Sequence, residues 1–327
     1  MVENILRNSL AALVFAIVFM FLLWYPDFTG HNPTHLSLLL PVTGGYYPGS
    51  LFDSHGYRII TVLMAVVNCL SLLLLSLRFL SLGKGNVGLP LFYLLVIFSY
   101  PQARLFSTAF PSALFAIMGL YALFQAGEEK SPVTPLFISS FLSGCACLLY
   151  LPSLVITGSF LAIALTLSLL NGRNLFVFLG GVVLTLGGCL FCRYLFFHDL
   201  PQFLGTLFEN INAIHLQFVP PKPATLFMTL VFLYLIGRAF LQWLRHVYGN
   251  QSYKARVLAS FMWMFVICGI PLFLYADKVF GYLPLFALPS SILLAYYFSA
   301  DRITRRMKVE FVVLLLSIIL NQFAFFL

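Results

Sequence analysis

Eleven apolar runs, each close to the length of a bilayer-crossing helix, dominate this chain and set what it can fold into. A hydrocarbon core about 30 Å thick takes about 20 apolar residues of α-helix. The runs cover residues 8–25, 58–77, 88–100, 107–125, 135–151, 153–170, 175–197, 225–244, 257–275, 282–299 and 309–326. Two or three soluble domains would fit 327 residues, but only 9% of them are charged and 61% are hydrophobic. Soluble domains carry about 25% charged residues. The 36 Phe and 16 Tyr fit a lipid-facing exterior better than a wet one. The expected fold is all-α: a polytopic transmembrane bundle of about 11 spans, forming one integral membrane domain over 1–327.

Three runs bear on the count. The third is short and begins at Gly88-Leu89-Pro90, and the fifth and sixth are parted only by Pro152. That proline marks either a tight hairpin or one broken helix, and the choice inverts everything downstream. Basic residues gather on the cytoplasmic side of membrane proteins. With the N-terminus inside and a hairpin at Pro152, the inner segments carry Arg7, Arg78, Lys84, Lys130, Arg173, Arg238, Arg245, Lys254, Arg256, Arg302, Arg305, Arg306 and Lys308. The outer side keeps Arg58, Arg104, Arg193, Lys222 and Lys278. The bias selects the hairpin, with the N-terminus cytoplasmic and the C-terminus outside. The first run ends at Trp24-Tyr25-Pro26-Asp27 with no small-x-small cleavage site, so it reads as a retained span.

A net charge of +8 raises the question of nucleic acid. The charges sit in short clusters between apolar runs and form no basic stripe, which excludes that partner. All six cysteines (69, 145, 147, 189, 192 and 268) fall inside apolar runs, where thiols pack as small hydrophobes. Cys189 and Cys192 have CxxC spacing without a second pair or a histidine nearby. The chain has no P-loop, GxSxG or HExxH motif and no metal-spaced Cys/His set, so no cofactor and no metal are expected. Asn250-Gln251-Ser252 is a sequon placed on the inner side. Asp301–Lys308 reads as a topology anchor.

Polar chemistry concentrates in two long outer loops, 26–57 and 198–224. They hold His31, His35, His55, His198 and His215, with Asp27, Asp53, Asp199 and Glu209. Histidine titrates near neutrality and suits proton transfer or phosphate contact, while ordinary loop polarity is the plainer reading. Asp27 follows the first span directly, among belt aromatics. Partial desolvation there would raise its basicity and fit it as a general base; otherwise it is a solvated residue after a proline turn. Arg58, Arg104 and Arg193 stand near outer span ends, where a guanidinium either grips a phosphate or snorkels to head groups.

The stretch Gly56–Leu170 resembles the multi-pass GT-C glycosyltransferases that use polyprenyl-phosphate sugar donors. The residues that carry the likeness are Asp27 and the loop 26–57, then Arg78 and Lys84, then Ser99-Tyr100-Pro101-Gln102-Ala103-Arg104. Pro111-Ser112-Ala113-Leu114, Glu128-Glu129-Lys130 and Phe141-Leu142-Ser143-Gly144 leading to Leu149-Tyr150-Leu151-Pro152 continue it. The likeness implies a GT-C-like core over about 8–197, with Asp27 as catalytic base. It implies Arg58, Arg104, His31, His35, His198 and Lys222 around a lipid phosphate, with Asp53 as a second acidic candidate. Many such enzymes pair two acids early in the first loop, whereas Asp27 stands alone until Asp53. Gln202-Phe203-Leu204 and Ala300–Lys308 are similar to an uncharacterised bacterial family of hydrophobic inner-membrane proteins.

The expected function is therefore a glycosyltransferase at the outer face of the bacterial inner membrane. Its substrate would be a lipid-linked sugar or another phospholipid-like molecule, in contact with membrane lipids. The alternatives are a flippase or transporter of lipid-linked substrates, and a non-catalytic subunit or assembly factor that binds a protein partner in an envelope complex.

Overall fold

The computed structural model describes residues 54–80, 88–100, 107–129, 131–198, 222–247, 252–274, 279–299 and 304–326, and residues 14, 15, 18, 201 and 205 besides. Among them there are ten helices of ten residues or more and no strand. They are α1 Ser54–Leu75, α2 Leu89–Phe98, α3 Ala109–Glu128, α4 Val133–Leu149 and α5 Leu154–Thr166. Then follow α6 Gly172–Cys192, α7 Pro223–Val247, α8 Tyr253–Leu274, α9 Val279–Phe298 and α10 Arg305–Phe326. Single π-helical turns extend α1 over Ser76–Leu80 and α6 over Arg193–Phe197. Each helix falls on one of the apolar runs from the second to the eleventh, with ends shifted by a few residues.

Among the described residues, six stretches are long and apolar enough to cross a membrane: Ile59–Leu80, Ala109–Glu128, Gly172–Phe196, Pro223–Arg245, Tyr253–Pro271 and Arg305–Ala324. Four are shorter: Leu89–Phe98, Val133–Leu149, Leu151–Thr166 and Tyr282–Phe298. The outer surface matches a hydrocarbon solvent. Phe176, Val183 and Phe196 on and beyond α6 are 77%, 67% and 74% exposed. Leu165, Leu230, Leu320 and Phe323 also point away from the protein. A soluble protein does not leave so much large apolar surface in water. This is a membrane protein.

Apolar residues on every side of a helix force it into the centre. Every residue of α2 is buried, and so is nearly all of α9 from Tyr282 to Phe298. The central helix α9 packs against α2, α3, α7 and α8. Phe92, Phe298 and Phe311 join α2, α9 and α10, the first two stacked with ring centroids 5.2 Å apart. Around this centre α1 leans on α2 and α3, α4 on α3 and α5, α5 on α8, and α10 on α7, while α6 packs on α4 at the margin. Buried serines turn their hydroxyls back to carbonyls of their own helix, as Ser159 does to Ile156 O (2.7 Å) and Ser317 to Leu314 O (2.7 Å). Such a bond satisfies a hydroxyl where water is absent.

Pro152 marks a hairpin. Tyr150 is extended (φ −150°, ψ 106°), Leu151–Ser153 form one 3-10 turn, and α5 runs back along α4. Cys147 Sγ and Thr157 Oγ1 meet at 3.2 Å. Ten residues of continuous helix would hold them about 15 Å apart. Cross-helix contacts show successive helices alternating in direction. Arg78 meets Tyr121, Tyr253 reaches Phe124 O, and Tyr234 and Tyr297 reach Glu310, all toward one end. Lys222, Thr225, Ser99 and Asn321 meet at the other. The first is the basic end, with Arg78, Arg238, Arg245, Lys254, Arg256, Arg305, Arg306 and Lys308.

The α4–α6 contact depends on glycine. A Cβ on Gly181 would lie 2.0 Å from Ser140 Oγ and 3.0 Å from Phe137 O. Its neighbour Gly180 faces open space. Gly181→Ala is expected to destabilise the protein by about 1–3 kcal/mol, because backbone must move. Gly180→Ala is expected to leave the melting temperature unchanged or slightly raised. Thermal denaturation of the two proteins in detergent compares them directly.

Candidate functional site

At the end opposite the basic one, short α2 stops inside the bundle and leaves carbonyls that water cannot reach. Consecutive amides from the far end of the chain satisfy them. Asn321 Nδ2 donates to Ser99 O (2.9 Å), and Gln322 Nε2 donates to Phe98 O (2.8 Å) and Ser99 O (3.2 Å). Thr225 Oγ1 on α7 donates to Asn321 Oδ1 (2.7 Å), fixing the side chain that reaches α2. Tyr100 OH and Thr229 Oγ1 are 3.0 Å apart. Lys222 Nζ donates to Ala324 O (2.9 Å), placing a cation at the negative end of the α10 dipole. One polar layer thus binds the end of α2, the start of α7 and the end of α10.

The candidates from sequence distribute unevenly about this layer. Lys222 is in it, exposed. His198 is at the same end of the bundle but on another flank, because α6 packs on α4 whereas α7 packs on α9 and α10. It closes the turn after α6 in the left-handed conformation (φ 53°) and is exposed. Arg58 is described by its backbone alone, near the start of α1 at that end. Asp27, His31, His35, Asp53 and Arg104 lie outside the described residues. Among the described residues no three His, Cys, Asp or Glu side chains converge as a metal site.

A second constellation, at the basic end, was not anticipated. Glu310 is 8% exposed and one turn into α10. Its Oε1 accepts from Arg306 Nε (3.0 Å) and from Tyr234 OH (3.0 Å). Its Oε2 accepts from Tyr297 OH. Arg306 Nη2 also donates to Tyr234 OH (2.7 Å). The guanidinium of Arg238 lies over the Tyr297 ring, 6.0 Å from its centroid. Three helices, α7, α9 and α10, are tied through one carboxylate. The sequence signal was slender: an Arg and a Glu four residues apart, adjoining a run already explained by topology. The two phenols come from 76 and 13 residues away.

Residues 50–326 match the profile of a family of unknown function (DUF6427), and the chain belongs to that family. No curated protein and no solved structure matches it. Membership agrees with the likeness to an uncharacterised hydrophobic family and assigns no activity.

Two substitutions test these layers by thermal denaturation in detergent. Asn321→Leu removes a donor from Ser99 O and the acceptor of Thr225, and is expected to cost about 1–3 kcal/mol. Glu310→Gln exchanges a charged acceptor of three bonds for an amide that turns a donor toward other donors. A loss of about 1–3 kcal/mol is expected there too, and an unchanged melting temperature would show that the network contributes nothing to stability.

Proposed function

We propose that this member of the DUF6427 family is a GT-C-like glycosyltransferase of a bacterial inner membrane, working at its outer face on a lipid-phosphate-linked sugar. The chain would cross eleven times, with the basic end in the cytoplasm and the Lys222 end outside. The observation that carries the reading is the polar layer around Asn321. It holds Tyr100, four residues before Arg104, and Lys222 in one layer, which supports a shared phosphate site at that end. Arg104 is four residues from Tyr100, at most about 14 Å along the chain.

In the proposed reaction Arg104, Lys222 and Arg58 hold the donor phosphate. Asp27 takes the proton from an acceptor hydroxyl as its oxygen attacks the anomeric carbon. The bond from that carbon to the phosphate oxygen breaks, and the polyprenyl phosphate leaves with the electron pair. His31 and His35 support the leaving phosphate, His198 on its separate flank takes no part in it, and Asp53 is the second carboxylate available to the loop. Donors and cations aimed at charge that grows in the transition state are the general strategy of such sites.

Charge position favours an enzyme of one face over a transporter. Between the level of Arg238 and Glu310 at one end and that of Lys222 at the other, the described helices carry no charged side chain among those described. A carrier for an anionic head group needs a compensating charge near the midplane.

The test uses the full chain in proteoliposomes with a radiolabelled polyprenyl-phosphate monosaccharide as probe. Saturable binding is expected, weakened about tenfold in Arg104→Gln and in Lys222→Gln. Asp27→Asn is expected to bind the probe normally and to transfer its sugar at least about 10²-fold more slowly. Absence of saturable binding, or wild-type transfer by Asp27→Asn, would overturn the proposal.

A further inference from the structure

Among the described residues, the constellation around Glu310 carries one positive charge more than it neutralises. Its single carboxylate pairs with Arg306, its two phenols are neutral partners, and Arg238 stands beside them. Arg238 Nε is buried and meets no acceptor. That atom faces the interior, and Arg238 also bonds the Tyr297 hydroxyl; holding two guanidinium groups partly out of water beside one carboxylate is costly, and an anion against their accessible N–H groups would offset it.

The surroundings say which anion. Tyr234 is 46% exposed and the Arg306 side chain 60%, so the cluster opens on the outside of the α7–α10 pair. Toward the bilayer centre, Leu230 and Phe227 stand four and seven residues before Tyr234, on its face of α7, and both are exposed. Val313 and Leu320 stand seven and fourteen residues after Arg306, on its face of α10, and are exposed as well. Charge lies at the interface level, with apolar rows running inward from it along both helices. That is the profile of a phospholipid: one phosphate diester, with acyl chains beneath.

We infer that the seam between α7 and α10 at the basic end binds one anionic phospholipid, whose phosphate oxygens accept from Arg238 and Arg306. The excess charge is cancelled, and the acyl chains lie along Leu230 and Val313. The lipid then joins α7 to α10 across the network that Glu310 begins. This site is at the opposite end of the bundle from the proposed transfer site, and its occupancy does not depend on that reading.

Native mass spectrometry of the full chain, released from detergent with added phosphatidylglycerol or with phosphatidylcholine of the same acyl chains, tests the inference. Wild type is expected to retain one phosphatidylglycerol preferentially. Arg238→Gln should weaken that retention about fivefold, the effect of one basic residue at an anionic head group. Arg238→Lys should restore part of it, and Arg173→Gln, at the same end on α6, should leave it unchanged. Equal retention of the two lipids overturns the inference, as does wild-type retention by Arg238→Gln. Displacement of the lipid by millimolar inorganic phosphate would also overturn it, because the seam would then hold a free anion and make no use of its apolar rows.

Discussion

Hydrocarbon supplies no hydrogen bonds, and the polar architecture of this protein follows from that constraint. A helix that stops within the bundle leaves carbonyls that only protein can satisfy. Short α2 is such a helix: its last carbonyls, Phe98 O and Ser99 O, lie where water would have to enter the core. Asn321 and Gln322, more than 200 residues away in sequence, supply the donors. Once they do, the ends of α2 and α10 are fixed to one another, and Thr225 adds α7 through the oxygen of the same amide. The position of Tyr100 at the end of α2 is thus a consequence of capping.

The same constraint acts on charge at the other end, with a different solution. A carboxylate in low dielectric needs a counter-charge and donors for its remaining lone pairs. Glu310 has Arg306 one turn before it and two phenols from neighbouring helices. Tyrosine suits the task because its ring packs like the Phe residues around it while its hydroxyl reaches an acceptor. Stability of this kind is specific: it fixes which faces of α7, α9 and α10 meet, which uniform apolar packing does not.

Much of the fold was legible before any coordinates, and the reason is periodicity. The helices from α1 to α10 could be placed within a few residues because each apolar run is bounded by Gly, Pro or a charge. The hairpin at Pro152 could be chosen from the distribution of Lys and Arg. Partners separated by most of the chain were not legible. Nothing in Asn321-Gln322 announces the end of α2, since an amide near a span end reads as ordinary interfacial polarity. Glu310 was hidden by its neighbours, because a basic run that sets topology accounts for itself. Of the candidate site residues, Lys222 joins the polar layer and His198 stands apart from it on another flank. For Asp27, His31, His35, Asp53 and Arg104 the reading still rests on sequence, since they lie outside the described residues.

The two ends therefore differ in what they offer a ligand. At the Lys222 end the described groups are amides, hydroxyls and one cation, already occupied in holding backbone. They make a rigid floor, while the proposed base, Asp27, belongs to the loop 26–57. At the basic end the described side chains leave a positive excess beside exposed apolar rows, so an anion completes the arrangement there. A chemical step suits the first arrangement, in which a fixed surface aligns groups from mobile substrates and from the chain. Permanent occupancy suits the second, because a bound anion lowers the free energy of the folded bundle whenever it is present.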